Sequence, residues 1–336
     1  MTARTLSMRW LDVMSKPLRQ SRTILITLDA QDTLYKFKKP IATQYLELAR
    51  QHGVRSNIDE KALAAAFRDS FKDMSRSFPN YGHGTLDNPR TWWIKVVSDA
   101  FQRVIAKEEI PDSLPGGLYD HFATAVAYEL YPDVKPFFEV IRDLKDRHNS
   151  DDASLFVGLI SNSDPRVKPV LQDLGLKVGT DILYPHAETT RNTLLSLYRP
   201  DDDIDFVTTS YAAMVEKPHR EIFEHARAMM LSLEQSKQEQ RVLRAVTEES
   251  QKQLPTAVAE RDAFIHIGDD YKKDYMGAKN AGWNAIHLNR EDEFVKEVDA
   301  ARTLTEALNV IQSMLGTSEP WHEKLLTLKA KYPIRE

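Results

Sequence analysis

Four apolar, strand-like runs, residues 24–28, 155–160, 206–208 and 264–267, are each followed by a short polar block. The blocks are Asp29-Ala30-Gln31-Asp32-Thr33-Leu34, Ser161-Asn162, Lys217-Pro218 and Gly268-Asp269-Asp270, with Asp274 five residues after Asp269. Between and after the runs the apolar residues recur at helical spacing, so strands and helices alternate. Such alternation predicts an α/β fold, a doubly wound parallel sheet with a Rossmann-like core. Open sheets of this kind bind ligands outside the carboxyl ends of their strands, where the polar blocks fall.

The first interval breaks the alternation. For about a hundred residues after residue 36 no strand pattern occurs, and the segments 41–51, 58–73, 90–106 and 113–130 carry helical periodicity. We expect an all-helical cap over residues 37–130, inserted into an α/β core made of residues 23–36 and 131–316. Tyr131-Pro132-Asp133-Val134-Lys135-Pro136 would form the return hinge, its prolines ending the last inserted helix. Core helices are expected at 134–147 and 166–174, with Gly175 stopping the second. Two stretches read as insertions, 177–204 with the acidic run Asp201-Asp202-Asp203 at the surface, and 234–262 as a solvated helix or mobile loop. Either could hold a protein partner.

Composition narrows the class. The 336 residues suggest about two domains. A net charge of −5 supplies no basic face, so nucleic acid is not an expected partner. There is no cysteine, which removes disulfides, thiolate nucleophiles and cysteine metal sites. No run reaches the roughly 18 apolar residues of a membrane span, so no membrane partner is expected. Residues 1–22 carry Arg4, Arg9, Lys16, Arg19 and Arg22 against one acid, Asp12. They read as an N-terminal extension of a cytoplasmic protein, or alternatively as a mitochondrial transit segment. Residues 317–336 read as a C-terminal extension.

A carboxylate, a hydroxyl, an ammonium and a carboxylate cluster, in that order on successive strands, resemble the four motifs of the haloacid dehalogenase superfamily. Ser77-Phe78-Pro79-Asn80-Tyr81-Gly82 and Arg90-Thr91-Trp92-Trp93 are similar to the cap of its branch named haloacid dehalogenase-like hydrolase domain-containing protein three, with fungal relatives. The resemblance implies Asp29 as covalent nucleophile, Ser161 as hydrogen-bond donor to a phosphoryl oxygen, and Lys217 as the balancing cation. It implies a Mg2+ site made by Asp29, the carbonyl of Gln31 and Asp269, with Asp274 either a further ligand or the holder of Lys217. Thr33, Ser161, Asn162 and Lys217 would bind substrate, helped by Asn80 and Tyr81 from the cap. Trp92 and Trp93 are expected to include at least one core-packing residue. Histidines 83, 121, 186, 219, 266 and 287 lack ligand spacing and read as satisfied or solvated.

One position departs from the family pattern. Its phosphatases carry a second aspartate two residues after the nucleophile, which protonates the leaving group; here that residue is Gln31. An amide cannot donate that proton, and general acid help is typically worth about a hundred- to ten-thousand-fold in rate. Asp32, in the place usually held by glycine, is expected to have a local structural role. The leading expectation is a Mg2+-dependent hydrolase of a small phosphorylated metabolite. The alternative is a catalytically silent member that binds a phosphorylated ligand or a protein partner. Dehalogenase chemistry is disfavoured by the retained acid cluster.

Overall fold

A computed structural model describes residues 22–148, 153–181, 197–247, 262–290 and 299–315. The chain runs β1 (Arg22–Leu28), β2 (Tyr35–Phe37), α1 (Ile41–Gln51), α2 (Glu60–Ser77), α3 (Pro89–Gln102), α4 (Ser113–His121) and β3 (Tyr128–Leu130). It continues with α5 (Val134–His148), β4 (Ala153–Ser161), α6 (Val167–Asp173), β5 (Val178–Thr180), β6 (Ile204–Thr209) and α7 (Arg220–Thr247). The last elements are β7 (Ala263–Gly268), β8 (Asn284–Leu288), β9 (Ala300–Ala301) and α8 (Leu304–Leu315). Seven strands form one parallel sheet in the order β5-β6-β4-β1-β7-β8-β9.

β1 lies at the centre because it is apolar on both faces. Ile24, Ile26 and Leu28 join the cluster made with Phe137, Ile141 and Leu144 of α5 and Leu308 and Ile311 of α8. Leu25 faces the other side, with Ile222, Phe223, Met229 and Met230 of α7. Burial of an aliphatic side chain of this size contributes about 1.5–3 kcal/mol, so both layers are needed to cover the strand. Gly158 in β4 has a reason of its own: a Cβ there would lie 2.3 Å from the ring of Phe206, its partner in β6.

The segment between β2 and β3 is helical. Asp59 caps α2 by accepting Ala62 N at 2.8 Å, and Asn88 caps α3 by accepting Thr91 N at 3.0 Å; each such cap contributes about 1 kcal/mol. Tyr45, Leu63, Val97, Phe101, Leu114 and Leu118 of these helices join the same apolar cluster as Ile24, Ile26 and Leu28 of β1. The helix expected over 113–130 stops at His121, and its last residues form β3, antiparallel to β2. A three-residue strand whose partner lies some ninety residues away leaves no local period to read. Core helix α6 ends before Gly175, which has φ +92°, a conformation that favours glycine.

The expectation for the first insertion is corrected, and that for the second is corrected in its solvation, the helix itself being present. Within 177–204, β5 adds an edge strand to the sheet, and the acidic run is largely buried rather than at the surface. Asp203 pairs with Arg142 and accepts the main-chain N–H of Lys177, while Asp205 pairs with buried Lys145 at 2.7 Å. These carboxylates bind cations and main-chain donors at the end of the sheet remote from Asp29. In the second stretch, α7 continues to Thr247, and Lys237 is buried with its ammonium 2.8 Å from Ser154 Oγ. Residues 182–196, 248–261, most of the N-terminal extension and the C-terminal extension lie outside the described residues. No described helix is long and apolar enough to cross a membrane.

Candidate active site

The polar blocks converge at the carboxyl end of the central strands. Leu28 is paired with Leu159 of β4 and Ile267 of β7, so the residues that follow all three strands meet there. The N–H of Asp29 continues the ladder by donating to Ile267 O at 2.9 Å. Its carboxylate is therefore set by a strand, not a free loop.

Lys217 lies between two carboxylates. Its Nζ is 2.6 Å from Asp29 Oδ1 and 2.7 Å from Asp274 Oδ1, and donates to Ile160 O at 2.8 Å. Burial opposes the charge, but Asp274 and Asp29 outweigh it and push the lysine up to about 12. Burial likewise opposes the Asp274 charge, yet Lys217 and the His266 hydrogen bond hold that carboxyl well below the usual range. Asp29 is raised, because burial and the nearby Asp274 charge exceed the help from Lys217. Asn162 fixes the lysine from behind: its Oδ1 accepts Lys217 N at 2.7 Å and its Nδ2 donates to Lys217 O at 3.0 Å. Its amide holds this backbone, which differs from the substrate contact expected of it. Ser161 ends β4 and is buried beside it.

Asp274 reaches the site through a π-type turn, Tyr271–Met276. Its Oδ2 accepts Asp270 N at 3.0 Å, and its Oδ1 takes both Lys217 and His266 Nε2, the latter at 3.1 Å. Gly268 is required by this approach, since a Cβ there would lie 2.3 Å from Asp274 Cγ. His266 is buried and neutral, burial lowering its pKa; Nε2 donates to Asp274 and Nδ1 accepts from Thr27 Oγ1 at 2.8 Å. The satisfied histidine expected from sequence thus orients a carboxylate of the site. Asp270 caps the turn by accepting Lys272 N and Lys273 N, each at 2.9 Å.

Asp269 is the titratable oddity. Burial first, then the charges of Asp29 and Asp274, raise it to about 7, against which the Thr33 hydroxyl donates to Oδ1 at 3.1 Å. Oxygens of Asp29, Asp269 and Asp274 lie within 4.8 Å of one another. Three crowded carboxylates with one lysine among them suit a hard divalent cation. Both oxygens of Asp274 are already engaged, so Asp29 and Asp269 are the side chains that fit as ligands and Asp274 fits as the anchor of Lys217.

A pH prediction follows with a definite sign. The folded metal-free protein keeps a proton on Asp269 that the unfolded chain releases, so this group lowers stability as pH rises from about 4 to about 7. The full effect is at most about 4 kcal/mol before solvent screening reduces it. Thermal unfolding at pH 5 and pH 8 should show a smaller loss in Asp269→Asn than in the wild type. Equal losses would remove Asp269 as the cause.

The turn after Asp29 explains two residues. Asp32 has φ +60°, a left-handed conformation, and its N–H donates to Tyr35 O at 2.7 Å; glycine or a short polar residue suits it. Gln31 Nε2 donates to Asp32 Oδ1 at 3.2 Å.

The inserted helices reach the site through side chains. Asn80 Nδ2 donates to Ser210 O at 2.8 Å, and Tyr81 Oη donates to Asn162 O at 2.8 Å. Asn80 and Tyr81 have φ +47° and +56°, so Pro79–Gly82 is a strained turn aimed at the core. Trp92 is buried, whereas Trp93 Nε1 donates to Asp164 Oδ2 at 2.6 Å. Arg166 pairs with Asp164 at 2.7 Å and lies 4.6 Å from the Trp93 ring centre and 4.4 Å from that of Tyr119. Sequence reasoning missed Asp164 and Arg166, which look like an ordinary pair at a helix start; the aromatic residues they engage, Trp93 and Tyr119, are far away in the chain.

A family model described as haloacid dehalogenase-like hydrolase matches residues 25–282. Haloacid dehalogenase-like hydrolase domain-containing protein 3 of Xenopus laevis is 29% identical over 295 residues, covering 87% of this chain and 96% of the relative. An uncharacterized hydrolase of Schizosaccharomyces pombe is 28% identical over 272 residues, covering 81% and 93%. Among solved structures, a 2-haloacid dehalogenase from Pseudomonas syringae pv. Tomato DC3000 aligns with a TM-score of 0.49 at 16% identity, over 87% of this chain and 99% of that one.

Proposed function

The chain belongs to the haloacid dehalogenase-like hydrolases, and from that premise we propose that it is a Mg2+-dependent phosphatase of a small phosphorylated metabolite. The observation that carries this reading is Lys217, held between Asp29 and Asp274 with its charge secured. A carboxylate attacks phosphorus only if its own charge and that of the phosphoryl group are balanced.

Asp29 would bond to phosphorus as the P–O bond to the leaving group breaks, giving an aspartyl phosphate. The leaving oxygen must take its proton from water, because Gln31 has none to give. Water then attacks the acyl phosphate, releasing phosphate and restoring Asp29. Lys217 balances negative charge, Ser161 orients phosphoryl oxygens, and Asn162 keeps Lys217 in place. Mg2+ held by Asp29, Asp269 and the Gln31 carbonyl would neutralise charge on the phosphoryl oxygens. Asn80 and Tyr81 would cover the substrate. Positioning and electrostatics carry much of phosphoryl transfer, so slow turnover survives without the acid.

Gln31 favours a second reading, a silent member that binds a phosphorylated ligand. Hydrolysis of an activated aryl phosphate separates the two. We expect slow Mg2+-dependent turnover that is abolished in Asp29→Asn. No turnover in the wild type, with the phosphorylated compound still bound, would establish the binder.

A further inference from the structure

A partly buried arginine outside the four polar blocks, its side chain 15% exposed, links the turn after Asp29 to the return of the chain from the inserted helices. Arg290 follows β8, and its guanidinium lies 3.8 Å from the centre of the Tyr131 ring. Its Nη1 pairs with Asp133 Oδ2 at 3.0 Å, and its Nη2 donates to the main-chain carbonyl of Thr33 at 2.7 Å. Asp133 is 4% exposed, and the same oxygen accepts Leu304 N, at the start of α8, at 2.7 Å. Tyr131 is itself tied to the turn, its N–H donating to Leu34 O at 3.0 Å.

The geometry demands arginine. A planar fork can serve two acceptors on different segments while its face covers an aromatic ring; the point charge of a lysine cannot do all three. One of those acceptors is the carbonyl of Thr33, a fully buried residue. The hydroxyl of the same residue donates to Asp269 Oδ1 at 3.1 Å. Among the described residues, Arg290 therefore holds the backbone from which the Asp269 hydrogen bond is aimed.

We propose that Arg290 is a positioning residue for the cation site: by holding the Thr33 carbonyl beside Asp133, it directs Thr33 Oγ1 onto Asp269. The inference rests on the reading that Asp29 and Asp269 hold Mg2+. Groups that orient a metal ligand are worth about ten- to a hundredfold in affinity. The effect passes through Thr33, so it should disappear when the hydroxyl is absent.

The test uses the full chain and MgCl2 alone, with apparent affinity taken from the rise of Tm with concentration. We expect R290Q to weaken Mg2+ about tenfold or more, and R290K to weaken it similarly, since the ammonium keeps the charge opposite Asp133 but cannot also reach Thr33. If R290Q does not fold, R290K carries the comparison. L308A, in the core of α8, should lower Tm and leave Mg2+ affinity unchanged, separating loss of stability from loss of positioning. In a T33V background R290K should have no further effect on Mg2+ affinity, the signature of two residues acting in series. Wild-type Mg2+ affinity in the arginine variants, or full additivity with T33V, would overturn the proposal. A wild type whose Tm ignores Mg2+ would instead overturn the metal reading, a result seen before any variant is compared.

Discussion

Replacing Gln31 with aspartate is expected to raise hydrolysis of an alkyl phosphate by about a hundred- to ten-thousand-fold, the usual worth of a general acid. An aryl phosphate with a good leaving group should gain far less, because its oxygen departs without a proton. The site is otherwise equipped: Asp29 is fixed by the strand ladder, and Lys217 bridges it to Asp274. The glutamine side chain turns toward Asp32, its Nε2 donating to Asp32 Oδ1 at 3.2 Å. An added carboxylate also brings repulsion in a cluster where Asp269 is already raised to about 7, so Mg2+ binding must be followed alongside the rates. The ratio of the two gains decides. Equal gains, or loss of both activities with Mg2+ still bound, would mean that the missing acid is not what limits the reaction.

Lys217→Met should destabilise the fold by about 3–5 kcal/mol at neutral pH, the cost of stranding buried charges after one partner is removed. Asp274 is 1% exposed and would lose the ammonium that holds its pKa down, and Asp29 would lose its nearest cation. In the wild type, a depressed Asp274 adds stability above its ordinary pKa that is lost as pH falls. In the variant the sign reverses. Both carboxyls become harder to ionise in the folded state, so stability should recover as pH is lowered toward 5. Urea unfolding at pH 7.5 and pH 5 measures both effects. A loss below about 1 kcal/mol at pH 7.5, within the range of an exposed pair, would show that the lysine is not the keystone of the cluster.

The sheet was legible because β1, β4, β6 and β7 are buried on both faces and read as continuous apolar runs. Short strands were not: β2 and β3 owe their existence to each other, and β5 to a neighbour reached across the second interval. The acidic run before β6 misled because charge alone does not reveal a buried cation such as Lys145. At the site, residue types at strand ends identified Asp29, Lys217, Asp269 and Asp274 as neighbours. What each side chain does there depended on partners far along the chain. Asn162 spends its amide on the Lys217 backbone, and Arg166 answers to Trp93 and Tyr119. His266 is a titratable residue within an apolar strand, a local sign that the reading of it as merely satisfied or solvated passed over.

Both crossings between the sheet and the inserted helices run through a single ribbon, β2 against β3, with Tyr35 opposite Leu130 and Phe37 opposite Tyr128. A body hung on two separate threads can swivel about either one. Paired threads leave it one easy motion, a bend about a line across the ribbon. That line passes just beyond the turn that follows Asp29, because β2 begins at Tyr35. A bend that carried the turn holding Asn80 and Tyr81 away would have to break its hydrogen bonds to Ser210 O and Asn162 O, so the contacts that oppose it lie at the far end of the lever arm and not in the ribbon.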